Sequence, residues 1–398
     1  FHIRRVVVAR PGRQDFTAPA QATEDMIETQ CTVLARPQDR YSFSEPTAGT
    51  LLGVLGQRVG YGYTVVWADA AQTIMKVRNV EPNSPVARAG LRRGDVVLAI
   101  AGRSPAQIAA GDPPAATQVG EPREFRIRNA AGQTRSFTVS SELFLQSAVP
   151  ATATFTVQRA GQPVTAGYVA LQQFATFGYL DIGAAFRSLA ARGVQELVVD
   201  LRYNGGGSVS LSRDLASLVA GDRGAGQTYA NLRYSARNAA SNTGVPFLTR
   251  ADTLPAPPLQ GLTRVVVVTS AATASASEAF INGLRPVMPV VLVGDTTFGK
   301  PYGFIAREAC GTTFNAVNFE LTNGQGAGGY TAGFAPDCSV PDDLDRPLGD
   351  PQEGRLRAAL YYLANGRCEA AAPQHEALGA RPAARAFGEV PPTGMTRD

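Results

Sequence analysis

Two residues of this chain have the chemistry of a nucleophile and its base. Ser275 closes the small-residue run Thr269-Ser270-Ala271-Ala272-Thr273-Ala274-Ser275, and Lys300 closes Asp295-Thr296-Thr297-Phe298-Gly299-Lys300, 25 residues further on. A serine hydroxyl needs a base to take its proton before it attacks a carbonyl. Histidine, the usual base, is confined to His2 and His375 near opposite ends of the chain. Of the 37 Lys and Arg residues only Lys76 and Lys300 are lysine. Arginine does not deprotonate in a protein, whereas a lysine whose pKa is lowered by burial can act as the neutral amine. The pattern therefore assigns Ser275 as nucleophile and Lys300 as general base. A third segment, Arg202-Tyr203-Asn204-Gly205-Gly206-Gly207, offers backbone donors, and with the start of a helix after Ser275 it points to the N–H groups of Gly206 and Ala276 as an oxyanion hole.

The elements that must bring these loops together read as an α/β core over residues 150–370. Each loop follows an apolar run, at 196–201, 265–268 and 289–294, read as parallel strands whose carboxyl ends form the site edge. The stretch after Ser275 allows a helix over 276–285, stopped by Pro286, and a returning strand. A right-handed crossover of that size puts both loops at one sheet edge. Residues 167–174 read as a further strand, 181–192 as an amphipathic helix, and 221–260 as a long surface excursion. The Ala- and Pro-rich stretch 371–398 reads as a flexible tail.

Ahead of the core, residues 1–47 mix Pro, Gln and Thr without a sustained period and read as an extended or partly helical segment. Residues 48–145 read as a β-rich module, with short strands such as 63–67 and 96–100. Ser84-Pro85-Val86-Ala87-Arg88-Ala89-Gly90 carries the punctuation of a two-turn helix, with Ser at the N-cap, Pro at the first position and Gly beyond the end. The phrase SPVARAGLRRGDVVLAI resembles a PDZ domain. That resemblance implies docking of a peptide as an added strand, with its carboxylate held by a nest of N–H groups. Tyr61, Gly62 and Tyr63 are the residues for such a loop, with a plain hairpin turn as the alternative.

A net charge of +4 without a dense basic run argues against nucleic acid as a partner. No run of 18 apolar residues is present, so no transmembrane helix is expected, and the start of the chain lacks the apolar stretch of a signal peptide. The four cysteines, Cys31, Cys310, Cys338 and Cys368, include no C-x-x-C pair, which leaves no metal or cofactor site to name. Their even number favours two disulfides and an extracytoplasmic setting, periplasmic or secreted, from which an export signal has been removed. Cys310 with Cys338, and Cys31 with Cys368, is the pairing expected among three.

The segments DLRYNGGG, TASASEAF and VGDTTFGK resemble those of the C-terminal processing peptidases, also called tail-specific proteases, and the order of docking module before core is similar too. The resemblance spans roughly residues 48–365. It implies a Ser/Lys dyad at Ser275 and Lys300, a crotonase-like α/β core, and protein or peptide substrates recognised by their C-termini. The chain departs from the family at Phe304, where many members carry a Gln that holds the lysine. Thr297, Glu278 and Tyr302 are the alternatives for orienting Lys300, and Phe304 drying its pocket is another. A peptide-binding protein of the same fold with little or no catalysis is the second reading. An acyl-CoA enzyme, suggested by the core fold alone, is a distant third.

Overall fold

The structure, a computed structural model, describes residues 6–8, 31–33, 41–47, 52–53, 55–69, 71–109, 116–249, 253–370, 387–388 and 395–396. The first strand used below is β1 (Phe43–Pro46). A β-rich unit follows, built from β2 (Tyr63–Trp67), β3 (Met75–Val80), helix α1 (Pro85–Arg88), β4 (Val96–Ile100), β5 (Pro122–Arg128) and β6 (Thr134–Ser140). Its strands pair antiparallel in chain order. Alternate residues of β5, Arg123, Phe125 and Ile127, face inward, and Phe125 and Ile127 join Tyr61, Tyr63, Val65, Met75 and Leu91 in one apolar core. Ser84 caps α1 by accepting from the Ala87 N–H at 3.3 Å. The helix makes one turn rather than the two expected, because Gly90 turns left-handed at φ +80° and the Leu91 N–H closes back on the Val86 carbonyl.

The core begins with a long antiparallel pair, β7 (Ala151–Arg159) and β8 (Gln162–Ala170). Pairing with β7 moves β8 towards the N-terminus relative to the expected 167–174. Helix α2 (Tyr179–Ala191) leads to β9 (Glu196–Asp200), the short β10 (Gly207–Ser208), α3 (Val209–Ala220) and β11 (Thr228–Tyr234). Next come β12 (Val265–Thr269), α4 (Ala276–Leu284), β13 (Val290–Gly294), β14 (Tyr302–Phe304) and β15 (Val317–Asn323). The last core elements are β16 (Cys338–Ser339) and α5 (Gly354–Asn365).

Strands β7, β8, β9, β12, β13 and β16 lie side by side in that order, parallel from β8 onward. A parallel sheet covered on both faces needs apolar residues at every position, and the valine run of β12 supplies them. Val265 and Val267 pack into the cluster with α2, α3 and α4, while Val266 and Val268 pack into the cluster with α5. The loops after β9, β12 and β13 leave the sheet at one edge, as expected.

A second sheet contains β10, β14, β15 and β11, closed by the strand Thr243–Pro246. Part of the stretch expected to be a surface excursion is thus structural: Tyr229, Phe247, Leu254 and Leu259 are buried, because β11 pairs with β15 along its length and presents an inward face. Two further short strands, β17 (Phe387–Gly388) and β18 (Met395–Thr396), fall within the stretch read as a flexible tail. Strand β1 pairs with Thr312–Asn315.

The disulfide is Cys338–Cys368, with Cα atoms 5.5 Å apart. It replaces the expected pairing of both residues. Strand β16 is the last strand of the core sheet, and α5, packed across the same face, ends at Asn365 close by. Cys310 is free and exposed on a hairpin turn. No helix among the described residues is long and apolar enough to cross a membrane.

The bond closes a loop with a sequence separation of 30 residues, for which loop-closure entropy gives about 3–4 kcal/mol. Reduction, or Cys338→Ser with Cys368→Ser, is expected to lower the free energy of unfolding by roughly 2–4 kcal/mol in urea titrations. Removal of Cys310 is expected to leave it unchanged.

Candidate active site

Ser275 sits on the turn between β12 and α4 with φ 63° and ψ −116°, a backbone conformation that L-residues other than Gly rarely adopt. It is fully buried, and among the described residues its Oγ has no hydrogen-bond partner. The turn is held from below. Thr273 Oγ1 donates to the Leu201 carbonyl at 2.7 Å and accepts from the Ser270 N–H at 2.9 Å. Ser277 Oγ and the Ala274 N–H both donate to the Asn204 carbonyl. The serine turn and the glycine loop are therefore one structural piece.

Gly206 shows why that loop is glycine-rich. Its φ is +114°, and a Cβ there would lie 2.7 Å from Ser275 Cβ and 3.0 Å from the Ala276 nitrogen. Of the expected oxyanion donors, the Ala276 N–H opens α4, where no partner exists within the helix. The Gly206 N–H donates to Asn204 Oδ1 at 2.9 Å.

Glu278 joins the serine turn to the lysine loop. Its Oε2 accepts from the backbone N–H of Ser275 at 2.9 Å and of Lys300 at 2.7 Å. Its Oε1 accepts from the Gly299 N–H and from Thr297 Oγ1, both at 2.6 Å. Burial pushes this carboxyl above its ordinary value, against the four donors that pull it down. Thr297 in turn accepts from the Phe334 N–H at 2.8 Å. Glu278 and Thr297 thus orient the backbone of the lysine loop.

Lys300 is 3% exposed. Its Nζ lies 4.9 Å from the centroid of Phe304, itself buried, and 5.9 Å from that of Phe43. Phe43 meets Phe304 edge-on at 5.5 Å, and Tyr41 donates to the Gly299 carbonyl at 2.8 Å. Tyr302 packs against Tyr41 at 5.4 Å. The lysine pocket is aromatic where the family's Gln is missing. No hydrogen bond joins Lys300 Nζ to Ser275 Oγ.

Behind both loops lies a charge network that sequence inspection did not find. Arg202, 1% exposed, is held by Asp200 and, through both terminal nitrogens, by Glu353 at 2.6 and 2.8 Å. Glu353 also caps α5 by accepting from the Leu356 N–H at 2.9 Å. Arg355 donates to the carbonyls of Thr269 and Val340 and pairs with Asp295. Asp342 contacts Arg202 and the Tyr203 hydroxyl, and on its other side Arg93 of the β-rich unit at 3.2 Å. Burial alone would push Asp342 up, but Arg355, Arg93, Arg202 and Tyr203 outweigh it and hold the carboxyl well below 3.8.

The three residues expected to meet a peptide are buried. Tyr61 and Tyr63 are buried, with the Arg123 guanidinium 4.0 Å from the Tyr61 ring and hydrogen-bonded to Tyr63. Gly62 has φ +83°, and a Cβ there would lie 2.1 Å from Ser84 Cβ. Strand β2 follows directly, with its second edge turned away from β3.

A buried serine at a helix N-terminus, against a glycine loop, thus shares one carboxylate with the loop of a buried lysine. Residues 165–340, which contain it, match the model of peptidase family S41. Over 380 residues the chain is 27% identical to a carboxyl-terminal-processing protease of Synechocystis sp., covering 92% of this chain and 81% of that protein. Against the enzyme of the same description from Picosynechococcus sp. it is 28% identical over 362 residues, covering 85% and 75%. A putative S41 protease from Bacteroides fragilis shares the fold, with a TM-score of 0.65 at 24% identity over 91% of this chain and 95% of that one. Residues 165–340 are thus similar to peptidase family S41, and the chain at large is similar to carboxyl-terminal processing proteases.

Two outcomes follow from the buried carboxylates. Glu278→Gln replaces an acceptor of two N–H groups by an amide NH2 or leaves it facing them, at roughly 1–3 kcal/mol per unpaired donor. Hydrolysis per folded molecule is expected to fall about 100-fold through loss of alignment, measured by turnover and urea midpoint on the same preparation. For Asp342 the folded value lies below the unfolded one, so its contribution is present above about pH 4 and is lost as pH falls. The stability gap between wild type and Asp342→Asn should therefore narrow on acidification below about pH 4, followed by denaturation at successive pH values.

Proposed function

We propose that the chain is a serine endopeptidase that hydrolyses protein substrates recognised by their C-termini, with Ser275 as nucleophile and Lys300 as general base. The observation that carries this reading is the buried, hydrogen-bond-free Oγ of Ser275, on a turn that shares the Glu278 carboxylate with the loop of Lys300. Removal from water favours the neutral amine, and the rings of Phe304 and Phe43 lie near it. In this reading Nζ meets Oγ in the substrate complex, as catalytic hydrogen bonds commonly tighten only there.

In this mechanism Lys300 Nζ takes the Ser275 proton as Oγ attacks the scissile carbonyl. The oxyanion is received by the Ala276 N–H and by the Gly206 N–H once Asn204 releases it. Lys300 then protonates the leaving amine, and water repeats the sequence to free the acyl group. The β-rich unit, read as a PDZ-like module, places the substrate's end by strand addition to β2 beside the Gly62 turn.

The test is mass spectrometry of an unstructured protein with an apolar C-terminus after incubation with wild type, Ser275→Ala, Lys300→Ala and Lys300→Arg, each checked for equal folding. Fragments are expected from wild type alone. Lys300→Arg keeps the charge but cannot deprotonate, so its activity would exclude lysine as base. Fragments from none of the proteins, with the peptide still bound, would establish a peptide-binding protein instead.

A further inference from the structure

The two short strands near the end of the sequence lie where a substrate would. Strand β17 pairs antiparallel with β2, Phe387 opposite Val65 and Gly388 opposite Thr64. It adds a strand on the side of β2 away from β3. Strand β18 runs parallel to β10, with Met395 opposite Gly207 and Thr396 opposite Ser208, and parallel to β14, with Phe304 opposite Thr396. Gly207 follows the glycine packed against Ser275, and Phe304 is the ring beneath Lys300. The stretch therefore pairs with β2 at one end, and at the other lies between the end of the glycine loop and the strand that follows the lysine loop.

Both pairings are present together, joined by seven residue steps from Gly388 to Met395. Pro391 and Pro392 lie in that interval and reduce the conformational freedom that docking removes. Tethering within one chain gives the segment an effective concentration that a free peptide of the same affinity does not have.

We propose that this segment is the enzyme's own competitor: β17 fills the docking edge of β2 and β18 fills the slot beside Ser275 and Lys300, so an external substrate must displace both. The proposal rests on the reading of β2 and the two loops as docking and catalytic parts, but occupancy is testable without catalysis.

The full-length chain with Met395→Pro and Thr396→Pro removes the N–H donors of a strand that has a neighbour on each side. A second variant, Phe387→Pro with Gly388→Pro, addresses the docking edge. Both are first made in the Ser275→Ala background and titrated with a fluorescent peptide of residues 385–398, read by anisotropy. Binding at least about tenfold tighter to the proline variants than to the chain with its native segment is expected from loss of the tethered competitor. Equal binding to all three, or none to any, overturns the proposal whether or not the protein hydrolyses anything. In the Ser275 background the Met395→Pro/Thr396→Pro variant is expected to show a lower KM for an external substrate at similar kcat. An unchanged KM in an active enzyme overturns it as well.

Discussion

A carboxylate placed in a protein interior is tolerated only where enough donors face it, and Glu278 meets that condition in a way that fixes the site. Its four donors come from the serine turn and from the lysine loop. The two loops leave neighbouring strands of a sheet that would set their spacing only coarsely. A single acceptor shared by Ser275 and Lys300 sets it at the scale of a hydrogen bond. Three of the four donors are backbone N–H groups, so the carboxylate holds the two loops by their main chain.

The glycine loop is fixed by a different kind of force. Arg202 is buried among Asp200, Glu353 and Asp342, a cluster in which loss of one charge strands the others. Through Glu353 the cluster also begins α5, and through Asp342 it reaches Arg93 of the β-rich unit. The rings and cations at that boundary, with Arg78 and Arg93 at 4.7 and 5.3 Å from the Tyr203 ring, place the residue before Asn204 against the neighbouring unit. The loop that would form the oxyanion hole and the unit that would hold a substrate's end share one electrostatic seam.

Much of this was legible in the chain before folding. Glycine loops, a small-residue turn and a glycine-lysine step after apolar runs place three loops at one sheet edge because parallel strands and crossovers leave little choice. The positions of the core strands along the chain and the helix after Ser275 follow from the apolar runs and Pro286. Other parts carried no local signal. Phe43 and Tyr41 belong to a stretch without period, and they reach Lys300 and Gly299 only through pairing with a strand some 270 residues away. Glu353 and Asp342 look like ordinary surface acids until the sheet brings Arg202 to them. Cysteine spacing leaves connectivity open, and the partner of Cys338 was decided by where α5 ends.

The backbone of Ser275 has a cost of its own. A non-glycine residue held at φ 63° and ψ −116° gives up about 1–3 kcal/mol relative to a relaxed turn, and alanine would inherit that penalty while glycine would escape it. For a lineage that had ceased to use the hydroxyl, drift at this position would run toward glycine and greater stability. If the hydroxyl is the nucleophile, the strain at this turn is the counterweight to its use.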